Sequence, residues 1–365
     1  MTTAYPEFRA TRCVRYRYRY SACTRCADAC PHDAVAPHDA GVRIDEAKCR
    51  NCALCASACR TGALGSGRLD RIDLVRRAIG GPATSVACAP SGVAADHVVA
   101  CLGALDAVML AYLARRGIAV ELRGVSACAA CEHAPVGETQ WRANVEAVAV
   151  LASAAPPEPA WRLPAVVDGD AAAGRRSGRV SGARRQLFRR LIGRGAEALA
   201  GPTEPLQMLP VPEKAIRPGP YSVTEQRELL RIVATRADGK PLRFAAHEAV
   251  PLVDLALDAG CTACEACFRA CPTGALAIEE SPDGWALAFT SDHCVGCEVC
   301  VEVCQPRVLR AAADADATPG RGYRRLHRLT KQRCERCDRH FVSPRPRSTC
   351  DVCADDERAF DAIFG

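Results

Sequence analysis

The feature that most restricts the fold of this chain is a cysteine spacing, C-x-x-C-x-x-C-x-x-x-C, that occurs twice in succession towards its C-terminal end. The eight cysteines of the two copies are Cys261, Cys264, Cys267, Cys271, Cys294, Cys297, Cys300 and Cys304. Two-residue gaps let a tight loop present three thiolates to one iron-sulfur cube, whose fourth ligand comes from elsewhere in the chain. The spacing predicts two [4Fe-4S] clusters. The alternative is a group of buried or disulfide-linked cysteines.

A similar array near the N-terminal end lacks one cysteine. Its members are Cys23, Cys26, Cys30, Cys49, Cys52, Cys55 and Cys59. Tyr20 occupies the position where the spacing requires the first cysteine, and Arg60 replaces the proline usual after the last one. The sequence Thr-Gly-Ala-Leu occurs at residues 61–64 and again at 273–276. This shared phrase indicates an internal repeat.

Residues 245–312 resemble the bacterial dicluster ferredoxins, through their two complete motifs and the proline after Cys271. In that family the cysteine after the three-residue gap ligates the neighbouring cluster. The resemblance implies that the C-terminal ligand sets are Cys261, Cys264, Cys267 with Cys304, and Cys294, Cys297, Cys300 with Cys271. Applied to the N-terminal array, it implies Cys49, Cys52, Cys55 with Cys30, and Cys23, Cys26, Cys59 with a fourth ligand.

Cys13 is our prediction for that fourth ligand, and a water molecule or an open coordination position is the alternative. Residues 14–20 read Val-Arg-Tyr-Arg-Tyr-Arg-Tyr, and their strict alternation predicts a strand. Seven extended residues would span about 23 Å at roughly 3.3 Å each, so Cys13 reaches the cluster only where the chain folds over.

The middle of the chain, from about residue 83 to 155, has the alternating pattern of an α/β arrangement, with strands predicted at 84–87 and 118–122 and helices at 97–116 and 138–153. Four cysteines follow strands or begin helices, and such positions lie at one rim of a parallel sheet. These are Cys88, Cys101, Cys128 and Cys131. The stretch from Cys101 to His133 resembles the small iron-sulfur D subunit associated with methyl-viologen-reducing hydrogenase, and the resemblance implies a [2Fe-2S] centre on these thiolates. The alternative is that Cys88 and Cys101 are ordinary core residues; His97 and His133 are expected to be capping or surface residues.

Residues 156–220 are rich in proline and predict a linker. Within it, apolar residues at helical spacing over 183–192, with arginines between them, predict a basic helix. This helix is expected to pack on a neighbouring domain, and the alternatives are docking on an acidic partner and binding of nucleic acid or lipid.

The C-terminal tail has the two-knuckle pattern of a zinc ribbon, with a hairpin between the knuckles. Its cysteines are Cys334, Cys337, Cys350 and Cys353. Four thiolates make a closed, structural site. We predict zinc, and a rubredoxin-like iron is the alternative.

The fold class predicted from these patterns is a multidomain α+β chain of 365 residues. The predicted segments are an N-terminal dicluster ferredoxin-like domain at 1–80, an α/β domain at 81–155, the linker at 156–220, a C-terminal dicluster domain at 221–315 and a zinc-ribbon-like module at 321–365. Aromatic residues make up only 5% of the chain, which suits modules that fold around inorganic centres.

The function predicted from these features is that of an electron-transfer subunit with four [4Fe-4S] clusters, a [2Fe-2S] centre and zinc, passing electrons to or from a catalytic oxidoreductase partner. It is not expected to be an enzyme itself. The alternative is a redox or oxygen sensor that binds nucleic acid through the basic tail, and a third reading is an iron-sulfur enzyme with an open iron beside Tyr20. The most apolar run, residues 98–114, contains Asp106 and predicts a core helix and no membrane span. Cysteines in metal spacing, without a secretory signal, predict a cytoplasmic location.

Overall fold

The structure is a computed structural model, and it describes residues 5–67, 69–155, 161–167, 215–217, 219–236, 238–282, 284–320 and 322–364. All of these residues belong to one compact unit. The predicted basic helix at 183–192, with most of the predicted linker, lies outside the described residues.

The N-terminal segment is built from very short elements that surround its cysteines. They are β1 (Glu7–Phe8), α1 (Val14–Arg17), α2 (Arg25–Asp28), β2 (Val35–His38), β3 (Gly41–Ile44), α3 (Leu54–Ala58) and β4 (Leu64–Gly65). β1 pairs antiparallel with β4, and β2 pairs antiparallel with β3. Each strand pair holds a cysteine-bearing loop and its helix in place.

The strand predicted over residues 14–20 is wrong, because the chain forms α1 there. The buried side chains are those of Val14, Arg17 and Tyr18. Their spacing of three and four residues is that of one helix face. The Arg-Tyr alternation misled the prediction because Arg17 is itself buried, although arginine normally remains in water.

The middle segment contains a parallel four-stranded sheet. Its elements are α4 (Arg71–Ala78), β5 (Ala83–Cys88), β6 (His97–Val99), α5 (Ala107–Arg115), β7 (Ala119–Arg123), α6 (Val136–Ser153) and β8 (Ala165–Val167). The strand order is β6-β5-β7-β8, and all three pairings are parallel. The carboxyl ends of these strands therefore lie along one edge of the sheet.

The helix predicted over residues 97–116 begins later than expected, because its first residues form β6. Asp106 caps α5 by accepting a hydrogen bond from the Met109 N–H at 2.9 Å, and this cap fixes where the helix starts. His97 lies in β6 and is buried, so the expectation that it is a capping or surface residue is also wrong. Its strand pairs with one edge of β5, opposite Val86.

The C-terminal segment is mainly antiparallel. Its elements are α7 (Glu225–Ala234), β9 (Arg243–Ala245), β10 (Leu255–Leu257), α8 (Ala266–Ala270), β11 (Leu276–Ser281), β12 (Gly284–Thr290), α9 (Val299–Glu302), β13 (Leu309–Ala311), β14 (Asp314–Asp316), β15 (Tyr323–Arg333), β16 (His340–Ser343) and α10 (Asp351–Phe364). β10 pairs with β13, β9 pairs with β14, and the largest sheet has the order β11-β12-β15-β16.

The segments predicted as separate domains share structure in two ways. β15, from the predicted tail module, pairs with β12 of the dicluster segment, so one sheet crosses the boundary predicted at 315–321. One hydrophobic core also extends from the middle segment, at Leu105 and Leu113, to the C-terminal segment, at Leu230 and Phe289. Among the described helices, none is both long and apolar enough to cross a membrane.

Candidate iron-sulfur centres and a C-terminal cysteine site

The 24 cysteines of the chain divide into groups of four, and we name each group by its position. The outer C-terminal set is Cys261, Cys264, Cys267 and Cys304, and the inner C-terminal set is Cys271, Cys294, Cys297 and Cys300. The first N-terminal set is Cys13, Cys23, Cys26 and Cys59, and the second N-terminal set is Cys30, Cys49, Cys52 and Cys55. The middle set is Cys88, Cys101, Cys128 and Cys131, and the tail set is Cys334, Cys337, Cys350 and Cys353.

The outer C-terminal set surrounds one cavity, whose wall includes Trp285 and Leu287 of β12. Left-handed backbone at Ala263 and Glu265 turns the loop tightly ahead of α8. Burial raises the pKa of the Cys267 thiol to about 12, so its thiolate form depends on a bound cation. Cys264 is exposed, which places this cavity at the surface of the protein.

The inner C-terminal set lies deeper. Burial raises the pKa of Cys300 well above its ordinary value, and the neighbouring Cys297, Cys294 and Cys271 thiols raise it further. The Gly296 N–H donates to the Cys294 sulfur at 3.4 Å, in the manner of amides that stabilise a sulfur ligand. The structure therefore brings these four thiols together without surface access of the kind that Cys264 has.

Cys13 belongs to the first N-terminal set, although the sequence left open whether its thiol could reach the other three. Cys13, Cys23, Cys26 and Cys59 line one cavity. Because α1 begins directly after Cys13 and shortens the following segment, the chain folds over and returns this buried thiol to the loop. Tyr20 is 66% exposed and does not line the cavity, so it does not replace the missing cysteine.

The second N-terminal set is also brought together. Burial raises the pKa of Cys55, and the charges of Cys52, Cys30 and Cys49 add to the effect. The Ala34 N–H donates to the Cys30 sulfur at 3.3 Å.

The middle set lines a single cavity with Trp141 and His133. Cys88 ends β5, Cys101 follows β6, and the other two thiols lie on a 3-10 turn after β7. Parallel strands thus deliver all four to one edge of the sheet, as the sequence predicted. Burial raises the pKa of the Cys101 thiol to about 12.

His133 is buried in the cavity wall, so its expected place as a capping or surface residue is wrong. Its Nδ1 lies 2.9 Å from Nε2 of His32, which belongs to the N-terminal segment. His133 is buried and His32 is half-buried, and both lie close to Cys52 of the N-terminal segment.

The tail set forms a compact group in which all four sulfur atoms lie within 4.8 Å of one another. The first knuckle occupies the turn between β15 and β16, where Arg333 pairs with His340, and the second begins α10. The β15–β16 hairpin therefore encloses the first knuckle, whereas the sequence predicted a hairpin between the first knuckle and the second. Hydrogen bonds from backbone N–H groups, the Cys350 N–H first, lower the pKa of Cys334 to about 6 and favour its thiolate. Four sulfurs at these distances suit zinc and iron alike.

Comparison with family models finds two matches on the cysteine arrays. Residues 255–305 match a 4Fe-4S dicluster domain, and residues 42–65 match a 4Fe-4S binding domain. The chain therefore contains iron-sulfur domains of the ferredoxin type. A comparison with curated proteins finds no match. Both matching segments fall within the arrays that the sequence singled out, and neither reaches the middle set or the tail set.

Buried arginine atoms test whether the cysteine sets suit an anionic cluster. Nε of Arg17, and Nε and Nη1 of Arg227, are buried without a hydrogen-bond partner among the described residues. An unpaired buried cation is costly, and an iron-sulfur cluster with four thiolates supplies negative charge. The buried charges of Arg17 and Arg227 therefore suit an anionic iron-sulfur cluster at the neighbouring cysteines. Sequence reasoning missed both arginines, because nothing in their spacing distinguishes them from surface arginines.

The cysteine sets follow one another as neighbours. Cys267 of the outer C-terminal set lies close enough to Cys300 to raise its pKa, and Cys297 lines the cavity of the first N-terminal set. Cys26 of the first N-terminal set in turn lies close enough to Cys55 of the second N-terminal set to raise its pKa. Cys52 of the second N-terminal set then packs with Cys101 of the middle set in one buried cluster. Five sets therefore form a continuous series, which we call the cluster row.

Proposed function

We propose that this chain is an electron-transfer subunit in which the cluster row carries electrons between its two ends. The observation that supports the proposal is that each cysteine set lies near the next, from Cys264 at the surface to the middle set. A sensor needs one responsive cluster, whereas a series of adjacent centres is the arrangement that conduction requires.

The proposed cofactors follow from the sets. The two C-terminal and two N-terminal sets each hold a [4Fe-4S] cluster, with Cys13 as the fourth ligand of the first N-terminal set. The middle set holds a [2Fe-2S] centre, and the tail set holds zinc. The clusters supply one-electron redox chemistry when bound; the chain's residues bind them, exclude water and set their electrostatic surroundings.

The proposed partners are redox proteins, of which one is a catalytic oxidoreductase subunit. Exposure of Cys264 makes the outer C-terminal set the end at which a partner approaches. Reduced thiols in metal spacing favour a cytoplasmic location.

The sensor alternative is less favoured by the charges of the tail, because part of its positive charge is paired with acids. The pairs are Arg324–Asp254, Arg325–Glu279, Arg333–Asp338, Arg336–Glu357 and Arg347–Asp351. Nucleic-acid binding depends on cations that are free to replace the counterions of phosphate. Among the described tail residues, Arg328, Lys331, Arg339 and Arg345 form no ion pair, so the tail offers fewer such cations than its composition suggests.

Anaerobic purification, iron analysis and EPR test the proposal. Four cubanes and one two-iron centre predict about 18 irons per chain, with the signals of the reduced centres broadened by their neighbours. Cys297→Ser in the inner C-terminal set should interrupt the row, so that a protein donor reduces the outer centre normally and the middle centre slowly. An iron content well below about 12, or an unchanged rate at the middle centre, would exclude the row.

A further inference from the structure

Buried arginines are concentrated around one member of the cluster row. The described residues include four buried arginines, which are Arg17, Arg60, Arg217 and Arg227. The guanidinium of Arg217 covers the ring of Tyr16, with its Cζ atom 4.4 Å from the ring centroid. The other three adjoin the inner C-terminal set; Arg60 also lines the cavity of the first N-terminal set, together with Arg15 and Arg25, which are only half-buried.

Each of the three arginines contacts the backbone that carries this set. Arg17 Nη2 donates to the carbonyl oxygen of Cys271 at 3.2 Å. Arg227 Nη2 donates to the carbonyl oxygen of Ser291, three residues before Cys294, at 2.9 Å. Arg60 donates from Nη1 to the carbonyl oxygen of Gly296, between Cys294 and Cys297.

Acids neutralise this charge only in part. Asp292 lies 3.7 Å from Arg227, and Glu298 lies 3.9 Å from Arg60, measured between nitrogen and oxygen. Arg17 has no acid within ion-pair distance among the described residues. At the outer C-terminal set, by contrast, the nearby Arg269 is 62% exposed at its side chain and is paired with Glu265.

Charge at these positions has a strong effect because it is buried. Coulomb interactions grow as the effective dielectric constant falls, and water does not screen the three guanidinium groups as it screens Arg269. Reduction adds one negative charge to a cluster, so nearby buried cations stabilise the reduced form and raise the reduction potential.

We infer that Arg17, Arg60 and Arg227 make the inner C-terminal centre the most readily reduced member of the cluster row. One electron passes to this centre from either neighbouring centre. The transfer oxidises the neighbour and reduces the inner centre, and no bond is formed or broken. Electrons that enter at either end therefore collect here. This inference rests on the proposed function for the identity of the centres.

Arg60 has a second part in this arrangement. It also lines the cavity of the first N-terminal set, and its Nη2 donates to the carbonyl oxygen of Glu248. One guanidinium thus lies between two adjacent centres and acts as a positioning residue for the junction of the two arrays.

The test is a potentiometric titration of the anaerobically purified full chain, followed by EPR. The inner centre's signal is identified by its alteration in Cys297→Ser. At the ambient potential that half-reduces the native inner centre, the ratio of reduced to oxidised centre should fall about tenfold in Arg60→Met, which is ~59 mV for a one-electron couple. Arg60→Lys, which keeps the charge, should stay within about twofold, as should the control Arg269→Met.

Arg17→Met and Arg227→Met remove the same charge at independent positions, so the loss of one variant to misfolding leaves the others. The inference is overturned if the Met variants keep their iron and the ratio does not change. It is also overturned if the inner centre of the native chain is not the first to be reduced, an order that requires no variant. Absence of cubane signals from the native chain would instead contradict the proposed function.

Discussion

The guanidinium of Arg60 donates a hydrogen bond to the carbonyl oxygen of Gly296, although 236 residues separate them in the chain. This contact ties the N-terminal array to the C-terminal array at the point where their cysteine loops meet. Gly296 permits it in two ways. Its φ of +64° is in the left-handed region, and a Cβ at this position would lie 2.5 Å from Arg60 Nη1 and 3.1 Å from the Leu252 backbone.

Gly296→Ala should therefore destabilise the protein more than the same substitution at a left-handed glycine with open space around it. Gly92→Ala is the matched control, because Gly92 has a φ of +66° and no atom within 4 Å of an added Cβ. We expect the control to lose ~1 kcal/mol of stability from backbone strain alone, and Gly296→Ala to lose about 2–3 kcal/mol. Anaerobic thermal melts that follow cluster absorbance would measure both. Equal shifts in the two variants would contradict the close packing of Arg60.

Cys13→Ser should remove the cluster of the first N-terminal set, because three thiolates and a weak hydroxyl ligand leave one iron exposed. Iron content should fall by about four, or by about one if the site retains a three-iron cluster. Tyr20→Phe should have no effect, since the Tyr20 side chain is exposed. An unchanged iron content and unchanged spectra in Cys13→Ser would contradict the assignment of Cys13.

Cys128→Ser should reduce the iron content by about two and remove one EPR signal, if the middle set binds a [2Fe-2S] centre. The signals of the four cubanes should persist. Ser126→Ala, on the same turn, serves as the control. Unchanged iron and spectra in Cys128→Ser would make the middle sheet a scaffold and end the cluster row at Cys52.

The Asp106 carboxylate makes two interactions, which two different substitutions can separate. One carboxylate oxygen caps α5, and the other accepts from Arg71 Nε at 2.7 Å in a largely buried ion pair. Asp106→Ala loses both interactions and should lower the free energy of unfolding by about 3 kcal/mol. Asp106→Asn keeps an oxygen for the cap and should lose about 1 kcal/mol less. Denaturation with urea would measure both changes, and equal losses would show that the cap contributes nothing.

Metal uptake by the tail set should weaken as the pH falls through about 6. The pKa of Cys334 is lowered to about 6 by backbone N–H donors, so this ligand is already a thiolate at neutral pH and takes up a proton below that value. Protons then compete with metal for the sulfur. Zinc competition with a chromophoric chelator at several pH values from 5 to 7.5 would measure how steeply the affinity depends on pH. Burial raises the pKa of Cys353 to about 12, so its proton competes with metal throughout this range, and only a steeper fall below about pH 6 reports on Cys334. A slope that does not change there would contradict the lowered pKa of Cys334.

The sequence predicted the parts of the site that depend on local spacing. Cys261, Cys264 and Cys267 lie on one short loop, so their convergence follows from the motif, and the parallel sheet of the middle segment was evident from its alternating pattern. The helix at Val14 was missed because burial of Arg17 is decided by contacts with residues such as Pro220, about 200 positions away. Spacing within a motif carries no information about such partners.

The order of the cysteine sets was beyond prediction for the same physical reason. Contact between Cys52 and Cys101, or between Arg60 and the inner C-terminal set, depends on how segments pack after their local structure has formed. The sequence showed Arg60 in place of the usual proline, but this replacement gave no indication of which residues the arginine contacts. Its burial between two centres required the structure.

The sheet that joins β12 to β15 connects the tail set to the wall of the outer C-terminal cavity. β12 supplies Trp285 and Leu287 to the wall of that cavity, and β15 pairs along its other edge and ends directly before Cys334. Loss of the tail metal would release the end of β15 and loosen the strand that shields the cluster. We expect a chain stripped of zinc to keep its clusters under anaerobic conditions and to bleach first at the outer C-terminal set when air is admitted.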